Sequence, residues 1–335
     1  MSKEKTISNL RVTLIFITTV VLILILFLTA MNIGGLKTSP AKLFGGLFIR
    51  YDKDAAVIFE LRFPRIVVAL LGGALMAVAG VLMQAVMKNP LADPGIIGIG
   101  SGAAFFAILV TALFPSLAVF MPVFSFLGGL LAFAIVYTLA WKGGEISAIR
   151  LILVGIAVNA VFTGLYQAFD QMTGGRNVNA ARVISANISL KTWNDVKILA
   201  VYALIGLLLC ILAAKKCNLL SLSDQTLHSL GVRVGRTKIT VSVISVLLAS
   251  AFTAVVGTVG FLGLIVPHIA RLLVGSDHKR LIPYSVLLGA FIFLLADTVG
   301  RTIAYPYEIS ASVIMAVVGG PAFIILLKRS RRIYG

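Results

Sequence analysis

Apolar residues gather along this chain into ten long blocks, each close to the length a helix needs to cross a bilayer. They cover residues 12–31, 64–86, 95–114, 122–141, 151–169, 196–214, 239–256, 259–275, 282–300 and 309–327. The pattern predicts an all-α polytopic membrane protein of about ten transmembrane helices, in one transmembrane domain over 1–335. The eighth block is short and interrupted. It lies in the stretch 257–283, GTVGFLGLIVPHIARLLVGSDHKRLIP, which carries Pro267, His268 and Arg271 within an apolar run. A proline deletes a backbone donor, and a cation at bilayer depth is costly. A segment that only anchored the chain would avoid them, so this stretch is expected to organise the rest. The plainer alternative is a helix that ends early, with Arg271 snorkelling to the headgroups.

Polar positions inside the blocks refine this picture. In the fifth block Asn159, Thr163 and Gln167 fall at i, i+4 and i+8, which puts them on one helical face. Two readings compete: hydrogen bonding between helices, or the lining of a pathway. Gly72-Gly73, Gly128-Gly129 and Gly319-Gly320 also sit inside blocks, where small residues let backbones approach closely.

Composition excludes a soluble protein. Hydrophobic residues make up 59% of the chain and charged residues 12%, too few charges to cover a water-exposed surface. The formal charge of +17 would suggest nucleic acid in a soluble domain. Here Lys and Arg concentrate in alternate short connections, so topology explains them, with both termini cytoplasmic and no nucleic-acid partner. The first block is too long for a signal-peptide core and reads as a retained span. Cys210 and Cys217 have no metal-ligand spacing, and His228, His268 and His278 stand in separate segments without a paired carboxylate motif. No phosphate-binding glycine loop occurs. The expectation is therefore no catalytic residue, no metal and no cofactor; ATP hydrolysis would need a separate subunit.

Several motifs together resemble one family. RFPR (62–65), GVLMQAVMKNPLADPGIIGIGSGA (80–103), GFLGLIVPHIARLLVGSDH (260–278) and LLADTVGR (294–301) are similar, in this order, to the FecCD-type permeases. These are membrane subunits of ABC importers for ferric siderophores, haem and cobalamin. One departure stands at Glu308-Ile309-Ser310, where the family usually has proline in the third place.

The resemblance implies two permease subunits around a central pathway, two cytoplasmic ATPase subunits, and an extracytoplasmic binding protein that delivers substrate. The setting is the bacterial cytoplasmic membrane. It also implies an inverted repeat between the four helices after the first span and the last four. Residues 219–232 would dock on the ATPase, through Leu219, Ser221, Asp224, Leu230 and Gly231, as two short amphipathic helices; a membrane-surface helix is the alternative. Asn89 and Leu91, with Ser147 and Ala148, would close the cytoplasmic mouth, unless 89–94 is only a stiff turn. Arg62, Arg65 and Arg301 would meet acidic residues on the binding protein. Asp297, four residues before Arg301, would form a local ion pair with it.

The leading function is uptake of an iron chelate, a ferric siderophore first, haem second and cobalamin third. An ion-coupled secondary carrier would need a titratable intramembrane acid, for which Asp297 beside Arg301 is poorly suited. A structural or receptor protein would not need the polar stripe of the fifth block.

Overall fold

The computed structural model describes residues 9–33, 52–142, 145–146, 148–172 and 186–334. Eleven α-helices run through them: α1 (Asn9–Asn32), α2 (Lys53–Met87), α3 (Ile99–Leu113), α4 (Met121–Ala140), α5 (Ala148–Met172), α6 (Trp193–Leu220), α7 (Asp224–Ser229), α8 (Val234–Val255), α9 (Leu262–Val274), α10 (His278–Ile303) and α11 (Ala311–Tyr334). A 3-10 turn, Pro115–Phe120, precedes α4, and a two-residue antiparallel pairing of Trp141–Lys142 with Glu145–Ile146 follows it.

Each of the ten apolar blocks coincides with a helix, and α7 is the extra, polar one. Seven helices are long and apolar enough to cross a membrane, whereas Ile99–Leu113 and Leu262–Val274 are shorter.

Local chemistry sets many of the helix ends. Asp52 caps α2 by accepting the Ala55 N–H at 3.1 Å. Thr192 and Asp195 form a reciprocal capping box at the start of α6. The Ser223 hydroxyl accepts the Thr226 N–H at α7, and Asp277 accepts the Lys279 N–H at α10. α3 and α9 start differently: the preceding residues, Gly98 at φ 87° and Phe261 at φ 68°, lie in the left-handed region, and neither start has a side-chain cap.

The centre of the bundle is α2, which packs on α6, α8, α9 and α10. Its most apolar window is 83% buried, against 17% for α1. This corrects the expectation that 257–283 is the organising stretch. A helix apolar on all sides can be surrounded on all sides, and residues 66–83 of α2 form such a stretch, with no polar side chain. α2 also begins well before residue 64: Ala55 and Ile58 are fully buried, so burial carries the helix past Pro64 despite the lost hydrogen bond.

Glycines allow the tight contacts around α2. A Cβ on Gly73 would collide with the Gly289 carbonyl of α10, and one on Gly80 with the Gly263 carbonyl of α9.

Candidate functional site

Three features lie along the bundle: a polar cavity in the middle and an ion-paired cluster at each end.

The central cavity has a volume of about 340 Å³. α5 contributes Asn159, Thr163 and Tyr166 to its wall, and Thr253 of α8 closes one side. Met76 of α2 adds one apolar side chain, and the rest of the wall comes from two helix starts, Gly95, Ile96, Gly100 and Ser101 at α3 and Thr258 to Phe261 before α9. Short helices that begin inside a bundle leave their first N–H groups without intrahelical partners, so both starts bring polar backbone to this space. Irregular backbone at such a depth is tolerated where it lines a cavity.

The predicted stripe divides here. Asn159 and Thr163 are half-buried on the cavity wall, whereas Gln167 is exposed and outside it. Eight positions at 100° each turn the stripe off the cavity face by its third member, while Tyr166, one residue earlier, lies on the wall. Gln84, the amide that could have paired with the stripe, instead donates to the Gly263 carbonyl and accepts from Arg271. The Asn159 and Thr163 side chains make no hydrogen bond to the described residues. The cavity is polar and roomy enough for water to serve them.

Cysteine at Asn159 or Thr163 is therefore expected to react with a small water-soluble thiol reagent, and cysteine at the 8%-exposed Val158 to resist it. The native Cys210 and Cys217 are buried and leave a low background. Equal labelling at Val158 would show that this face of α5 packs rather than lines.

At one end stand Arg62, Arg65, Asp297, Arg301 and Glu308. The Arg65 guanidinium holds Asp297 with Nη2 at 2.9 Å and Nε at 3.1 Å from Oδ1, and reaches Glu308 with Nη1 at 2.7 Å. Arg301 approaches Asp297 Oδ2 at 3.3 Å and donates to the Ala30 carbonyl. The main partner of Asp297 is thus Arg65, 232 positions away, rather than only its helical neighbour. Arg65 and Arg301 are buried, while Arg62 is half-buried and donates to the Met31 carbonyl. A cavity of about 220 Å³ opens onto all three arginines, and Arg301 Nη2 is buried with no hydrogen-bond partner. Ser310 precedes α11, its carbonyl accepting from Val313 and its hydroxyl meeting Ser312 at 2.8 Å. The missing proline is replaced by a helix-starting serine.

At the other end, Lys88 just beyond α2 donates to Asp224 at 2.7 Å and to the Leu222 carbonyl at 2.5 Å. Lys238 of α8 takes the second Asp224 oxygen at 2.9 Å. These two lysines hold the Asp224 carboxyl below the usual range. Residues 219–232 hold one short helix, not two: Leu219 and Leu220 extend α6, leaving only α7 before the turn at Gly231, φ 71°. Leu230 is 61% exposed at that turn, and Ser221 is exposed with its hydroxyl on the Asn218 carbonyl.

Asn89 is occupied with its own turn, Oδ1 accepting the Leu91 N–H at 2.9 Å and the carbonyl accepting from Ala92. Leu91 is half-buried. Ser147 lies outside the described residues, and Ala148 opens α5. Farther along the same loop, Ile96 and Ile97 press their backbone on Gly155 of α5.

Sequence reading passed over Asp93. It is fully buried, with Oδ1 accepting from Gly95 and Ile96 and Oδ2 lacking a partner, and burial pushes its pKa up to about 6. Its position between two prolines was visible; its burial against Gly263 was not, because that contact joins segments far apart in the chain.

The model of the FecCD transport family matches residues 22–329. The Probable heme-iron transport system permease protein IsdF of Staphylococcus aureus strain Newman is 40% identical over 299 residues, 89% of this chain and 90% of that protein. The same protein of strain MW2 is 42% identical over 275 residues, 82% and 83% of the two chains. Among solved structures, an inward-facing chain described as a metal-chelate type ABC transporter superposes with a TM-score of 0.79 at 28% identity, covering 95% of this chain and 99% of that one. PsaBC from Streptococcus pneumoniae, in complex with Fab, shares the fold at a TM-score of 0.58 and 18% identity, over 86% and 95% of the chains. With a family match across nearly the whole length and relatives at this identity, the chain belongs to the FecCD transport family.

Proposed function

We propose that this chain is the membrane-spanning permease of an ABC importer that takes up an iron chelate. The observation that carries the reading is the polar cavity, built from two helix starts and one face of α5, inside an otherwise apolar bundle. Family membership and the 40%-identical heme-iron relatives support the same conclusion. They also move the preference within iron chelates from a siderophore to haem.

All ten apolar helices are assigned as spans. The two short ones, α3 and α9, reach only part of the hydrocarbon thickness at about 1.5 Å per residue, and half-length helices with starts at mid-depth are a known transporter device. Both termini are assigned to the cytoplasm, which puts the Lys88 end inside and the Arg65 end outside. At the outer end, the cavity beside Arg62, Arg65 and Arg301 would receive carboxylates of a binding protein, with the spare Arg301 donor as one contact. At the inner end, the exposed Leu230 and the 219–232 segment would meet an ATPase subunit, with Asn89 and Leu91 at the gate beside Ser147 and Ala148. A second permease subunit would cover α5, where Leu153, Ile156 and Val161 are all more than half exposed. The pathway would then lie between two such cavities.

Uptake of iron-labelled haem and of a ferric siderophore should be measured in proteoliposomes holding the permease, its ATPase and its binding protein. ATP-dependent entry of haem is expected, and its absence with both cargos would overturn the reading. Leu230→Asp is expected to lower uptake at least about tenfold, since a charge at the centre of an apolar contact is left unpaired. Leu230 is mostly exposed, so the variant should keep close to the thermal stability of the parent. Normal uptake by that variant would make 219–232 a surface element only.

A further inference from the structure

A further cavity opens at the Lys88 end, beside the gate and ATPase-contact residues Asn89 and Ser221, and the transport reading gives its cations no role. It is a cavity of about 340 Å³ between the ends of α2, α6 and α9 and the start of α10. Its wall carries Lys88, Arg271 and His278, together with the Ser221 and Ser276 hydroxyls, and no carboxylate.

The donors and acceptors on this wall can be assigned. Gln84 takes one donor of the Arg271 guanidinium, and Asp224 with the Leu222 carbonyl takes two from Lys88, so each cation retains donors. His278 is 6% exposed. Its ring Nδ1 and its backbone N–H both lie 2.8 Å from Asn218 Oδ1, while Asn218 Nδ2 donates to Asp277. An amide oxygen can only accept, so Nδ1 carries the ring proton. Nε2 is left as a buried lone pair without a partner.

Two cations and one orphaned acceptor define what fits. A metal ion would meet Nε2 but be repelled by Arg271 and Lys88. A simple anion would satisfy the cations and leave Nε2 empty. A phosphate monoester does both in its singly protonated form: its oxygens accept from Arg271 and Lys88, and its P–O–H donates to His278 Nε2. The second ionisation of such a group lies near neutrality, so that form is present at cellular pH.

We propose that this cavity binds a phosphate group that keeps one P–O–H, that of a monoester lipid headgroup or of free phosphate, and that the group bridges α9 and α10 to the Lys88–Asp224 pair. Basic pockets between helices on the cytoplasmic side suit acidic headgroups. The lipid source rests on the membrane orientation proposed above; the free-phosphate source does not.

The test uses the full-length permease in phosphatidylcholine nanodiscs, with binding read directly and no transport step. Dioleoyl phosphatidic acid is added in one arm and inorganic phosphate in the other, each followed by native mass spectrometry and thermal unfolding. Retention of phosphatidic acid at least about tenfold above phosphatidylcholine, lost in Arg271→Gln, is expected for the lipid source. Arg271-dependent binding of inorganic phosphate alone assigns the free ion. Because Arg271→Gln could disturb packing through Gln84, Ser221→Trp at the exposed rim serves as a second variant that fills the mouth. His278→Phe, which removes the orphaned acceptor, should weaken binding as well. Binding of neither probe, or equal binding by the parent and all three variants, overturns the proposal. An importer that fails to move haem but binds phosphatidic acid in this way leaves it standing.

Discussion

Asp297→Ala is expected to destabilise the permease by about 3–5 kcal/mol, the cost of leaving a buried charge without its partner. Asp297 is 1% exposed and is shared by two buried guanidiniums, Arg65 and Arg301. Its removal leaves Arg301 without its carboxylate and Arg65 with Glu308 alone. Two features distinguish this from the loss of a surface ion pair. Glu308, the other carboxylate on Arg65, is 42% exposed, so Glu308→Gln should cost no more than about 1 kcal/mol. Replacing the whole trio, with Asp297→Leu, Arg65→Met and Arg301→Met together, should recover most of the loss, because apolar side chains of similar volume need no partner. Thermal unfolding of the purified proteins in one detergent gives the order. An Asp297→Ala variant as stable as the parent would mean that the arginines find water or lipid phosphate instead.

Gly80→Val has the second large effect, and it acts through shape alone. A Cβ at residue 80 would collide with the Gly263 carbonyl and lie 2.6 Å from the Gly263 Cα, so backbone would meet side chain with nothing flexible to yield. α9 would have to move off α2, separating Gln84 from Arg271 and from the Gly263 carbonyl at once. Overpacking of this kind costs about 3 kcal/mol or more where neither side can relax. The expected result is loss of the monodisperse species on gel filtration. Gly320→Ala is the matched control: it makes the same kind of change in a helix with open space around the added carbon, and it should behave as the parent. If Gly80→Val elutes normally, the close approach of α2 and α9 is not needed for folding.

The sequence was most informative where one helix answers to one run of residues. Apolar blocks predict helices because a backbone in lipid must satisfy its own hydrogen bonds, and all ten blocks are helical. Their ends were less legible. α2 starts at Lys53 because Ala55 and Ile58 find a buried surface, and no local signal marks that. The same limit explains the misplaced centre. Pro267 and Arg271 stand out in the chain, whereas the uniformly apolar middle of α2 does not, and burial favours the second.

Within the site, periodicity placed Asn159 and Thr163 on one face, and they share a cavity. Gln167 extended the stripe one turn too far, since side chains at a 3.6-residue period drift away from a fixed wall. The rest of the wall could not be read, because Thr253, Thr258 and Gly95 meet there only after distant segments fold. Arg271 was expected either to mark function or to reach for headgroups. It turns inward to Gln84, a pairing across 187 positions that no local pattern announces.

α2 has one more consequence. Its 35 residues make a single rod of about 52 Å at 1.5 Å per residue. Arg65, about a third of the way along, is locked to Asp297, and Lys88 just past the far end is locked to Asp224. A molecule that shifts the rod at either end therefore works against both locks. Thermodynamic reciprocity then fixes the exchange: whatever factor a carboxylate at the arginines applies to affinity at residues 219–232, an occupant there must apply in return. The two faces of the membrane would report on each other through one helix, with equal strength in each direction.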